Sequence, residues 1–280
     1  METPVGLARV LIVAGSDSGG GAGIQADIKA VTALGGYAST AITALTAQNT
    51  LGVQGIHDIA PAFVAEQMEV VLDDIGADCL KTGMLHTVEV IEAVCAVIAD
   101  KAADVPVVID PVMVAKGGAV LLDSSATAAV VENLIPLARI ITPNAPEAAT
   151  LIGCDIVTTN DLVNAADRLL ALGARAVLVK GGHVAGDVVV DVFADAGGEK
   201  QVFEAPRIDT PHTHGTGCTL ASAIATGIGQ GMALFEAVAR ARDYVRLAIA
   251  RAPGIGRGQG PLNHMVTISD FGRGEKGASG

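Results

Sequence analysis

Tryptophan is missing from the 280-residue chain, and only two tyrosines and five phenylalanines supply aromatic surface. A core without large rings has to be closed by Ala, Val, Leu and Ile, which suits strands buried on both faces beneath helices. Basic charge is scarce as well: 18 Lys and Arg stand against 30 Asp and Glu, a formal net charge of -12. Such a surface repels nucleic acid and anionic lipid, so neither is expected as a partner. A phosphate site must then be a local device of lysines and backbone N–H groups. The four cysteines, Cys79, Cys95, Cys154 and Cys218, include no C-x-x-C pair and no histidine at zinc-finger spacing. A chain this long needs no disulfide staples, so reduced thiols and a cytoplasmic setting are expected. The opening METPVGLARV lacks a basic stretch followed by a long apolar run, which argues against a secretory signal. Residues 215–235 carry no formal charge and are long enough to cross a bilayer. Their five glycines, three threonines, serine and glutamine read instead as a loop entering a buried helix.

What is present is apolar residue in short bursts. Runs rich in β-branched residues recur at 9–14, 38–45, 78–82, 106–109, 139–141, 175–180 and 188–194. Between most of them lie stretches of helical period: Ile24 to Leu34, Ala62 to Leu72, Val88 to Ile98, Ala126 to Leu134 and Leu162 to Leu172. Alternating strand and helix, with strands that are apolar throughout, predict an α/β fold: a three-layer α/β/α sandwich around a mostly parallel sheet. After Gly198 the order changes to an edge strand at 200–205, a glycine-rich turn, and helices near 216–228 and 233–251. One domain over 1–271 is expected, with the tail GRGEKGASG, 272–280, disordered.

Ligands of open α/β sheets sit beyond the carboxyl ends of the strands. That selects Gly15 to Gly23, Gln48, the stretch around Met84, Asp110 to Val112, Asn144 to Glu147 and Lys180 to His183. The segment AGSDSGGGAGIQADIKA, 14–30, contains G-A-G-I-Q-A, a formal match to a dinucleotide fingerprint. The match begins six residues past the strand, and no acid follows at the ribose position after the second strand. No G-x-x-x-x-G-K-[ST] occurs, so the usual P-loop is excluded. Asp27 is an acid one turn into a helix whose flanking positions read as buried.

In THGTGCTLASA, 213–223, loop turns into helix at Gly215, Thr216, Gly217 and Cys218. Backbone N–H groups and the positive end of a helix can converge there on a phosphoryl group, and the glycines allow close approach. A thiol at a helix N-terminus is expected to have a lowered pKa. Arg240, Arg242, Arg246 and Arg251, with Glu236 one turn before Arg240, read as a solvated face of the last helix.

With these residues the chain resembles the ribokinase-like superfamily, and within it the hydroxymethylpyrimidine and hydroxymethylpyrimidine-phosphate kinases of thiamine biosynthesis. The likeness is carried, in order, by AGSDSGGGAGIQADIKA, ITALTAQNT, KTGML, VIDPVM, TPNAPEA, VLVKGGH, HGTGCT and GQGPLNH. Most of the superfamily has aspartate after G-T-G; this branch has cysteine, as here at Cys218. The opening loop departs slightly, reading S-D-S-G-G-G where D-P-S-G-G is frequent. The resemblance implies ATP and Mg2+ as cofactor and metal, a small pyrimidine substrate and a homodimer. It implies Cys218 and Lys180 as catalytic, and Gln48, Asp27, Gly15, Met84 and Val112 around the substrate. Thr213, Gly215, Thr216 and Gly217, again with Lys180, fall on ATP phosphate, and Asp110, Glu147 and Asn144 near the metal. Other readings stay open. Gln48 could be a buried turn residue, and Met84 and Val112 plain core. Asn144 and Glu147 could form a capping box, alone or together with a metal role. A pyridoxal kinase is a close rival, and a non-catalytic pyrimidine or nucleotide sensor a rival of another class.

Overall fold

A computed structural model describes residues 7–113 and 122–268. Its centre is a nine-stranded sheet in the order β3-β2-β1-β4-β5-β6-β7-β8-β9. The strands are β1 (Arg9–Asp17), β2 (Tyr37–Asn49), β3 (Gly52–Asp58), β4 (Cys79–Thr82), β5 (Val107–Ile109), β6 (Ile140–Ile141), β7 (Ala176–Lys180), β8 (Val188–Asp195) and β9 (Lys200–Pro206). β1, β2, β4, β5, β6 and β7 run parallel, whereas β3, β8 and β9 join antiparallel at the two edges.

Helices α1 (Gly23–Ala33), α7 (Thr216–Gly229) and α8 (Leu234–Ala250) cover one face of the sheet. The other face carries α2 (Pro61–Asp74), α3 (Val88–Lys101), α4 (Ser124–Ala129), α5 (Ala145–Ile152) and α6 (Thr159–Leu170). The parity of β1 shows why both are needed. Val10, Ile12 and Ala14 pack toward the first helical layer, Leu11 and Val13 toward the second, and all are buried. This is the three-layer sandwich expected from the apolar runs.

The uncharged stretch 215–235 is divided between α7, a turn and the start of α8. Among the described residues no helix is long and apolar enough to cross a membrane. Two readings need correction. β3 was absent from the expected strands because it is an exposed edge strand broken by Gly52 and Gly55, with no apolar run to mark it. The arginines of α8 do not share one solvated face. Arg242 is buried, its Nε donating to Asp191 at 2.8 Å and its guanidinium lying 4.3 Å over the Phe203 ring, and Arg240 donates to Gln230 at 2.7 Å. The tail 272–280 lies outside the described residues.

Candidate active site

The strand order reverses at β1, where the chain first adds β2 and then returns to place β4 on the other side. Carboxyl ends diverge at such a point, and a cavity of about 450 Å³ opens there. Every residue to which the resemblance assigns a catalytic, substrate, phosphate or metal role lines it except Asp27.

At one end is the start of α7. Its N-cap, Gly215, has φ +83°, and a Cβ there would lie within bonding distance of the Gly21 carbonyl, so only glycine fits. A glycine N-cap offers no side chain to the first-turn amides; Thr216 N makes a long 3.4 Å bond to the Thr213 carbonyl, and the amides of Gly217 and Cys218 point toward an anion site. Lys180, at the end of β7, and Asp110, after β5, approach the same turn: a Cβ on Gly217 would meet Lys180 Nζ at 3.2 Å and Asp110 Oδ2 at 3.3 Å. Lys180 donates to Asp110 Oδ1 at 3.1 Å, and Thr142 Oγ1 to the same oxygen at 3.2 Å. Burial works against the charge of Lys180, but Asp110 and Glu147 outweigh it and hold the ammonium above the ordinary lysine range.

Asn144 and Glu147 do form a capping box. Glu147 N donates to Asn144 Oδ1 at 2.9 Å, and Asn144 N to Glu147 Oε2 at 2.8 Å. Burial, reinforced by Asp110 and opposed by Lys180, pushes the Glu147 carboxyl up to about 7. Two carboxyls crowded beside one lysine suit a divalent cation, which would relieve their repulsion. Among the described residues, no three His, Cys, Asp or Glu side chains are placed to hold a metal alone.

Cys218 reverses the expected direction. Burial, with Asp27 and Asp110 adding to it, pushes the thiol up to about 12 against the opposing Lys81 charge and Gly23 amide. The helix end offers only partial charge, which does not offset the desolvation of this half-buried thiol and the neighbouring carboxylates. The thiol is neutral at physiological pH.

Asp27 stands behind the cavity wall rather than on it. Lys81 Nζ donates to its two oxygens at 3.0 and 2.9 Å, Ser222 Oγ donates at 2.7 Å, and neither charged side chain has any exposed surface. Burial disfavours the Lys81 charge, but the Asp27 carboxylate outweighs it and keeps the ammonium above its usual range. Lys81 and Ser222 were missed because nothing local marks the contact: Asp27 is 54 residues from one and 195 from the other.

Asp17 and His214 were missed too. Asp17 accepts from the amides of Gly19 at 2.8 Å, Gly21 at 3.0 Å and Ala22 at 2.8 Å, and lies 3.0 Å from His214 Nε2. The glycine-rich loop that formally matched a dinucleotide fingerprint therefore wraps the protein's own carboxylate. An aspartate bonding to an amide two residues on is a readable turn signal; its distant histidine partner is not.

The first turn of α7 is pinned from outside by the G-Q-G-P-L-N-H segment. Thr219 Oγ1 shares a 2.9 Å hydrogen bond with His264 Nε2, and Tyr244 Oη donates to the His264 carbonyl at 2.9 Å. Burial, with Lys29 adding, lowers the His264 pKa from 6.5 to about 4. Between those values the folded state binds fewer protons than the unfolded one, so stability present above pH 6.5 is lost as pH falls toward 4. His264→Gln is expected to flatten the acid limb of the Tm–pH curve in that window, where the parent protein loses up to about 3 kcal/mol.

Comparisons with known proteins agree with this geometry. The model of the family described as phosphomethylpyrimidine kinase matches residues 17–263. A hydroxymethylpyrimidine/phosphomethylpyrimidine kinase of Streptomyces coelicolor is 48% identical over 267 residues, covering 95% of this chain and 98% of the relative. The thiamine biosynthesis bifunctional protein ThiED of Geobacter sulfurreducens is 53% identical over 269 residues; the match covers 96% of this chain but 54% of that protein. Among solved structures, Staphylococcus aureus pyridoxal kinase in complex with AMP-PCP and pyridoxal superposes with a TM-score of 0.84 at 32% identity, covering 92% of this chain and 94% of that one. With the family model spanning nearly the whole described chain and a relative 48% identical over 95% of it, the chain belongs to the phosphomethylpyrimidine kinase family.

Proposed function

We propose that the chain transfers the γ-phosphoryl group of ATP to the hydroxymethyl group of 4-amino-5-hydroxymethyl-2-methylpyrimidine, and then a second phosphoryl group to the monophosphate so formed. The observation that carries this reading is a single cavity lined by an uncapped helix end, Lys180, a neutral Cys218 and Gln48. The carboxamide of Gln48 offers the donor and acceptor that a ring nitrogen beside an exocyclic amine requires. Met84 and Val112 supply apolar lining.

Phosphoryl transfer asks for in-line placement and charge neutralisation more than for a strong base. The first-turn amides of α7 and Lys180 are placed to meet the equatorial oxygens of the moving group. Asp110, Glu147 and Asn144 would hold Mg2+ largely through water and nucleotide phosphate; bound there, the ion neutralises phosphate charge. The acceptor hydroxyl gives up its proton late in a loose transition state, to an oxygen of the transferred phosphoryl group and from there to solvent, so a thiol that stays protonated is no handicap.

The same neutrality explains tolerance of two acceptors. A phosphate monoester has a second pKa near 6 and is a dianion at neutral pH. A carboxylate at position 218 would repel it, whereas a thiol does not. Cys218→Asp is expected to slow the second phosphorylation at least about 10-fold more than the first, since a unit charge a few ångströms away acts strongly at low dielectric. Separate assays of the two steps decide this; equal impairment contradicts it.

Four free cysteines support a reducing, cytoplasmic setting. Exposed Leu45, Leu51 and Ile56 on the β2–β3 hairpin support the homodimer suggested by the resemblance. Coupled ADP release measured with the pyrimidine and with pyridoxal tests the substrate. Higher kcat/KM for the pyrimidine is expected. Preference for pyridoxal would shift the assignment to the rival kinase, and no release with either acceptor would point to a sensor.

A further inference from the structure

We propose that Asp17, acting through His214, fixes which way round the Gln48 carboxamide sits, so that its carbonyl faces His214 and its amide nitrogen faces Thr46. The inference rests on the reading that Gln48 meets the pyrimidine edge, and it assigns Asp17 and His214 a positioning role in substrate choice.

One ring nitrogen, His214 Nε2, decides the orientation. Asp17 is buried, and the amides of Gly19, Gly21 and Ala22 already donate to it. Burial opposes its charge, but His214 and those amides outweigh it and hold the carboxyl below the ordinary range. A carboxylate only accepts, so His214 Nε2, 3.0 Å from Asp17 Oδ2, must carry a proton. That nitrogen then has no lone pair left.

Gln48 Nε2 lies 3.3 Å from the same His214 Nε2. Two N–H donors would face each other, while an unprotonated Nε2 would turn its lone pair on the Asp17 carboxylate. Both are unfavourable in a half-buried network whose Asp17 and His214 are buried. A half-turn of the amide exchanges its oxygen and nitrogen almost without moving other atoms, and it removes the conflict. The Gln48 carbonyl then faces the His214 N–H. The amide nitrogen takes the place 3.1 Å from Thr46 Oγ1, whose own proton goes to the Ser16 carbonyl at 2.9 Å. Thr46 thus accepts from Gln48 while donating to Ser16, and the one His214 Nε2 proton is shared between Asp17 at 3.0 Å and the Gln48 carbonyl at 3.3 Å as a three-centre hydrogen bond.

Fixed this way, Gln48 presents a free lone pair on the His214 side and a free N–H on the Thr46 side. An acceptor substrate with an exocyclic amine beside an unprotonated ring nitrogen fits that polarity. A 4-oxo analogue, whose carbonyl sits beside a ring N–H, has the opposite polarity and meets two mismatches.

The test compares kcat/KM for the 4-amino acceptor and its 4-oxo analogue in the parent protein and in Asp17→Asn, Thr46→Val and Gln48→Leu. The parent is expected to favour the amine strongly. Asp17→Asn and Thr46→Val are each expected to reduce that ratio about 10-fold, the worth of one hydrogen bond, mainly through KM for the amine. An unchanged ratio in both, with a collapsed ratio in Gln48→Leu, overturns the orienting role and leaves Gln48 as the reader. An unchanged ratio in Gln48→Leu sinks the reading on which the inference stands. Asp17→Asn could disrupt the glycine loop, so 15N NMR of histidine-labelled parent protein gives an independent answer. A proton on His214 Nε2 at neutral pH supports the inference, and the opposite tautomer overturns it.

Discussion

Lys180→Met is expected to lower kcat about 100- to 1000-fold while changing KM for the pyrimidine little. Lys180 stands at the first turn of α7, beside the amides proposed to meet the transferred group. Loss of one donor aimed at developing charge costs this much in other enzymes. The effect belongs in kcat because the interaction is strongest when charge is spread over the moving phosphoryl group. The substitution also strips Asp110 of its ion pair, so thermal unfolding should accompany the kinetics. A variant that keeps its Tm and loses kcat places Lys180 in the chemistry. Full activity in a folded variant would remove it from the transfer step.

Lys81→Met is expected to have the largest effect on stability. It leaves Asp27 in the interior with Ser222 as its remaining side-chain partner. Removing one member of a buried ion pair costs about 3–5 kcal/mol, because the survivor is an uncompensated charge. For a chain of this size that corresponds to a fall in Tm on the order of 10 °C. The paired change Lys81→Met with Asp27→Leu should recover most of the loss, since two well-packed apolar side chains avoid desolvating either charge. Calorimetry of the parent, the single variant and the double variant checks this. A single variant as stable as the parent would show that the pair contributes nothing. The double variant also separates stability from catalysis, because the Lys81 charge lies close enough to Cys218 to oppose the rise of its pKa.

These two lysines show where sequence reading succeeds and where it stops. Lys180 was legible: it ends an apolar strand ahead of two glycines, at the edge where ligands bind. Lys81 also ends an apolar strand, yet its role depends on Asp27 and Ser222, which only the folded layers bring together. The interior strands were readable because burial on both faces leaves a continuous apolar run, whereas β3 at the edge leaves none. Chemistry follows the same division. The glycines of 215–217 and the N-x-x-E spacing are local patterns with local causes, the latter visible as the Asn144–Glu147 box. The pKa of Cys218 is not local. Helix position alone argues for a thiolate, and burial, which comes from the whole fold, reverses the sign.

Arg242 makes the same point on α8, the neighbour of α7 on the same face of the sheet. Its spacing on α8 resembles a solvated charge face, but Asp191, Phe203 and the Gly181 amide gather it into a buried network at the strand end that carries Lys180. Charge in a sequence indicates solvent until tertiary structure supplies a partner.

One cavity, with a neutral thiol at position 218, is proposed to phosphorylate first an alcohol and then a phosphate. Time-resolved 31P NMR of the protein with the hydroxymethylpyrimidine and excess MgATP tests it most directly. The monophosphate resonance should rise and then give way to the coupled resonances of the diphosphate. Accumulation of the monophosphate with no diphosphate, in the presence of remaining ATP, would contradict it.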